Sequence, residues 1–137
     1  MRKINTATVA VLAMSMACLS NAIAASLDAL QGAWMISSQD CAATFEKKNG
    51  SIRFRDAASS LATGIIISGD KITGVNGDCT VRRVRQDEGH LSLSMGCADS
   101  VLATSMSVSL RIVDADTIEI SDFVFPDEMQ SYQRCHL

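Results

Sequence analysis

From residue 30 onward, apolar and polar positions alternate in short runs separated by turn residues, with no sustained helical period, and this pattern predicts an all-β domain. The clearest run is Met106, Val108, Leu110 and Ile112 alternating with Ser105, Ser107, Ser109 and Arg111, a strand with one buried face. A loop at Asp114-Ala115-Asp116 would set Leu110 against Ile120, Arg111 against Glu119 and Ile112 against Ile118, each pair chemically matched. Asn49-Gly50 predicts a two-residue hairpin turn, across which Phe45 faces Phe54, Glu46 faces Arg53 and Lys47 faces Ile52. Further turns are predicted at Gly69-Asp70 and at Asn76-Gly77-Asp78. Phe123 and Phe125 end a strand that Pro126 stops, and 130–136 forms the last one.

The stretch 79–97 reads as a hairpin closed by its own disulfide. A three-residue loop Asp87-Glu88-Gly89, with Gly89 in the left-handed region, sets Gln86 against His90. Arg85 then faces Leu91, Arg83 faces Leu93, Val81 faces Met95 and Cys79 faces Cys97. A four-residue loop would shift the register by one and place the two cysteines on opposite faces. In the three-residue register Arg83 and Arg85 share the face of Leu93 and Leu91, while Arg82 lies on the other. Arg82, Arg83 and Arg85, extended by Arg53 and Arg55, are the one basic concentration and a candidate anion or partner patch, weighed against a solvated sheet end.

The N-terminus changes the picture of compartment. Arg2 and Lys3 precede the apolar run 9–19, and Ala22-Ile23-Ala24-Ala25 offers a small-residue cleavage site, so residues 1–25 read as a secretory signal peptide. The alternative of lipidation at Cys18 lacks its preceding motif, since Ser15-Met16-Ala17 stands there. Cleavage leaves a single domain, 26–137, with 10 basic residues (12 minus Arg2 and Lys3) against 15 acidic ones, a net charge of −5. That balance disfavours nucleic acid as a partner, and no second apolar run is long enough for a membrane helix. Periplasmic or secreted residence follows.

The mature cysteines number four, the count expected of two disulfides in an exported chain. Cys79 with Cys97 is chosen by the hairpin, which leaves Cys41 for Cys135 and joins the start of the domain to its end. Eight to ten strands linked by short turns, with first and last brought together, predict a small antiparallel up-and-down β-barrel; a β-sandwich is the alternative. Trp34, the single tryptophan, is the expected core anchor.

The opening Leu30-Gln31-Gly32-Ala33-Trp34, followed by Ser37 and Cys41, resembles the start of small lipocalin-like barrels, in which a Gly-x-Trp signature begins the first strand. More narrowly it is similar to the bacterial exported metalloprotease-inhibitor barrels, although the four cysteines depart from that family's single disulfide. The resemblance implies an inhibitor whose free N-terminal leader, here Ser26, Leu27 and Asp28, enters a protease cleft. It equally implies the lipocalin alternative, a carrier of a small apolar ligand.

Catalytic chemistry is not legible. His90 and His136 lack sequence-local ligand partners, no zinc spacing occurs among the cysteines, and Asp114-x-Asp116 lacks the glycine and closing glutamate of a calcium loop. No nucleophile elbow or phosphate-cradling loop is present. The expectation is therefore a noncatalytic exported binding protein with no cofactor and no metal, its partner a secreted hydrolase or a small apolar ligand.

Overall fold

Ten strands account for most of the residues described in the computed structural model, which are 27–36, 41–56, 63–87, 89–122, 125 and 127–137. The expected signal peptide, Ser26, Phe123 and Pro126 lie outside them. In chain order the strands are β1 (Gly32–Ile36), β2 (Phe45–Lys48), β3 (Ser51–Phe54), β4 (Ile65–Ser68), β5 (Lys71–Gly74), β6 (Gly77–Asp87), β7 (His90–Ala98), β8 (Ala103–Ile112), β9 (Thr117–Asp122) and β10 (Met129–Cys135). A 3-10 turn at Asp28–Leu30 precedes β1, and one turn of α-helix at Cys41–Thr44 precedes β2.

Eight strands close into an antiparallel barrel in the order β1-β10-β9-β8-β7-β6-β5-β4, and β2 and β3 form a separate two-stranded hairpin. The closure removes the sandwich alternative. First and last barrel strands pair as expected, with Ala33 against Cys135 and Trp34 against Arg134. Closure matters because an open meander would leave two unpaired edges, whereas a barrel satisfies every strand on both sides.

Alternation sorts the side chains into two cores. The inward set includes Trp34, Ile67, Val81, Leu93, Leu110 and Ile118, each at most 4% exposed. Burying each large apolar side chain stabilises by ~1.5–3 kcal/mol. The lumen is therefore filled by side chains and closed below by Leu27 and Leu30. The second core lies outside the barrel wall. Here Ala33, Met35, Ile66 and Cys135 turn outward from β1, β4 and β10 and are covered by Phe45, Ile52 and Phe54 of the hairpin.

That hairpin matches the sequence reading. Asn49 and Gly50 both take positive φ, at 53° and 80°, so the turn twists with its strands. Phe45 opposes Phe54 with ring centroids 4.9 Å apart, and Glu46 opposes Arg53. Gly64 lets the hairpin approach: a Cβ there would lie 2.5 Å from both Met35 Sδ and Phe45 Cζ. Gly64→Ala should consequently lower stability by about 1–3 kcal/mol, read as a shift in urea midpoint at constant slope.

The Cys79–Cys97 and Cys41–Cys135 disulfides both form, with Cα–Cα distances of 3.9 and 5.6 Å. The route to the first differs from the expected three-residue loop. At the tip Asp87 faces His90, so the connection is two residues long, of which Glu88 lies outside the described residues, and Gln86, Arg85 and Val84 face Leu91, Ser92 and Leu93. A β-bulge between Val81 and Arg83 then absorbs one residue and restores Val81 against Met95 and Cys79 against Cys97. The physical reason is burial. The expected register would have pointed Arg83 and Arg85 at the lumen beside Leu93 and Leu91, at the cost of burying unpaired charges, whereas the bulge puts Val84 there instead.

The β4–β5 turn is Gly69-Asp70 as read. The next turn is Val75-Asn76 rather than Asn76-Gly77-Asp78, since Gly77 already pairs with Gly74 and Asp78 with Thr73. The β8–β9 register is the one expected, Arg111 with Glu119 and Ile112 with Ile118 included.

Candidate functional site

Four regions gather polar or charged groups, and the last described leaves its arginines without an ion-pair partner among the described residues. At the closed end, Trp34 is fully buried and its indole N–H donates to the Leu30 carbonyl at 2.8 Å. The Arg134 guanidinium lies over the ring, 4.1 Å from its centroid, and donates to the carbonyls of Gln31, Ala29 and Ala115 at 2.6, 2.7 and 2.8 Å. One arginine thus ties the N-terminal segment and the β8–β9 loop to the core, with a cation–π contribution of ~0.5–2 kcal/mol. Asp116 adds an ion pair to Arg134 at 3.8 Å and its carboxylate lies 3.0 Å from His136 Nε2, and Asp114 accepts from the Asp116 amide. Trp34 is the core anchor the sequence suggested. Arg134 was not singled out, although it stands next to Cys135 on the strand that faces Trp34.

This closed end corrects one site expectation. Leu27 is 1% exposed and belongs to the lumen core, and Asp28 opens the 3-10 turn with its side chain exposed. Leu27 is a plug and not part of a free leader, because its apolar side chain gains more from the barrel floor than from water.

On the β2–β3 hairpin, Glu46 pairs with Arg53 and, at 3.3 Å, with Arg55. The hydrogen bond from Arg53 is the main cause that holds the Glu46 carboxyl below its ordinary range. Arg53 and Arg55 therefore do not join the other arginines. A carboxylate with a depressed folded pKa contributes stability above its unfolded value, near 4.3, and loses it as the pH falls through the folded one. Acid titration of the urea midpoint should be flatter below about pH 4.3 for Glu46→Gln than for the parent.

The open end carries Asp99, whose carboxylate accepts the amides of Val101 and Leu102, both at 2.7 Å, and is held below the ordinary range by them. Val108, Ile120, Phe125 and Tyr132 line a hollow of about 250 Å³ there together with Asp122 and Glu128. Burial pushes the Tyr132 hydroxyl up.

The uncommitted charges lie on the outer wall of β5 to β8. Residues 82 and 83 fall on the two sides of the bulge step and both point outward, so Arg82, Arg83 and Arg85 share one exposed face in place of the two faces the sequence reading gave them. Among the described residues no carboxylate lies within ion-pair distance of any of the three. Arg82 lies across Gly96: a Cβ on that glycine would stand 2.5 to 2.8 Å from the guanidinium group. Beside it runs a groove of about 640 Å³ walled by Lys71, Asp78, Thr80, Arg82 and Ser105. His90, on the far strand at the tip, faces Asp87 and Arg111 across the ladder. No group of three metal-ligating side chains occurs among the described residues, and no helix there is long and apolar enough to cross a membrane. No family model, curated protein or solved structure matches the chain.

Proposed function

We propose that the protein is an exported, noncatalytic binding protein that engages its partner with the outside of a solid barrel. The observation that carries this reading is the lumen: it is occupied by Trp34, Leu93, Leu110 and Ile118, while Arg82, Arg83 and Arg85 stand exposed on the outer wall. Export is supported by the signal-like residues 1–25 and by two disulfides, which persist in oxidising compartments. The resemblance to exported inhibitors makes a secreted hydrolase the first partner class to test.

With Leu27 held in the core, inhibition would come from a barrel surface. Titrating the mature protein into a secreted metalloprotease should give stoichiometric inhibition that survives replacement of Ser26 and Asp28 by glycine. Full protease activity at tenfold molar excess would remove the hydrolase as partner, and inhibition lost in the double variant would restore the leader as the active element. A carrier of a small apolar ligand is the second reading, favoured by the 250 Å³ hollow at the open end.

A further inference from the structure

The outer wall of β6, β7 and β8 repeats one chemical row. Arg83 is followed across the strands by Ser94 and Ser107, and Arg85 by Ser92 and Ser109. The row above runs from Lys71 through Thr80 and Gly96 to Ser105, with the Arg82 guanidinium laid over the glycine. Each row therefore has a cation at its β5 or β6 end and hydroxyls beyond it. Rows on one face recur every ~7 Å along a strand, and positions within a row every ~4.8 Å. Asp78 and Asp87 bound the cationic stretch at its two ends.

We infer that this wall binds an anionic oligosaccharide, a chain of hydroxylated rings carrying sulfate, phosphate or carboxylate groups. This rests on the reading of the barrel as an outward-facing binding protein. Charge complementarity gives the first argument: three arginines with no carboxylate within ion-pair distance among the described residues stand on one face of a chain whose mature net charge is −5. Guanidinium groups hold planar oxyanions through two parallel N–H donors, which a folded protein keeps uncommitted on its surface at little gain in stability.

The floor gives the second argument. Serine and threonine hydroxyls both donate and accept, as sugar hydroxyls do, and the small side chains leave a flat surface with an open groove for a ring. An arginine cluster can also hold an acidic peptide, but a floor of hydroxyls within a closed ladder offers that peptide neither a strand edge nor an apolar pocket to complete its binding. Gly96 has a role beyond the ladder here, because its missing Cβ is the space in which Arg82 lies.

The test titrates the mature, disulfide-bonded protein with a sulfated dextran oligosaccharide, unsulfated dextran and a polyglutamate peptide, at low salt. Saturable binding of the sulfated sugar alone is expected, weakened about tenfold by Arg82→Gln. Gly96→Ala should weaken it similarly by displacing the guanidinium; Lys47→Gln on the distant hairpin should leave it unchanged. Unaltered melting temperatures of Arg82→Gln and Lys47→Gln would show that folding is intact. Equal or tighter binding of polyglutamate, indifference to Arg82→Gln, or no binding of any anionic probe would overturn the inference. The last result would leave the outward-binding reading standing, whereas one-to-one uptake of an apolar probe into the lumen would remove that reading itself.

Discussion

Replacing Cys41 and Cys135 by alanine is expected to lower the unfolding free energy by about 4 to 5 kcal/mol, the larger of the two disulfide effects. The bond closes a sequence separation of 94 residues, against 18 for Cys79–Cys97, and loop-closure entropy in the unfolded chain grows with that length. The shorter loop corresponds to about 3 kcal/mol on the same scale. The Cys41–Cys135 bond also fastens the helical turn before β2 to the barrel wall, so its loss should loosen the hairpin that covers Met35 and Ile66. Urea unfolding of the two double-alanine variants measures both effects. A larger loss for Cys79/Cys97 than for Cys41/Cys135 would contradict this account of the second core.

Leu27→Ala should cost about 2–5 kcal/mol, the range for truncating a buried leucine. Leu27 is 1% exposed beside Leu30 and Trp34, and the floor above it is held by Arg134 and by Gln31, whose amide donates to the Leu27 carbonyl at 3.0 Å and whose oxygen accepts the Gly69 amide at 2.7 Å. A side chain on a free arm would change stability by less than about 0.5 kcal/mol. Thermal and urea unfolding of this one variant separates a plug from an arm, and a change below 0.5 kcal/mol would return Leu27 to the leader.

The pairs that local chemistry fixes were legible in the sequence. Asn49-Gly50 and the matched pair Arg111 with Glu119 each specify a register without help from the rest of the chain, and both registers occur. The opposition of Cys79 and Cys97 was legible too, but it demands only one extra residue somewhere in the arm between them. A three-residue loop and a two-residue loop with a bulge supply it equally well. The signal that separates them is Val81 and Val84, whose spacing of three breaks the period of two and marks a bulge at Arg82-Arg83. Missing it divided the three arginines between two faces and hid the outer wall. Leu27 was misjudged for another reason: a short apolar residue before a strand reads as a loose terminus until the barrel floor that receives it is known. Arg134 likewise acquires its role only through the pairing of β1 with β10, a contact between residues a hundred apart.

The central claim is that the barrel is filled and that binding belongs to its outside. Methyl-resolved NMR of the mature protein, titrated with a small apolar probe such as a medium-chain fatty acid, tests it most directly. The lumen methyls of Leu93, Leu110 and Ile118 are predicted to keep their shifts throughout the titration, because close-packed side chains leave no room for a ligand. Saturable shifts of those three residues at one-to-one stoichiometry would contradict the account and make the protein a carrier.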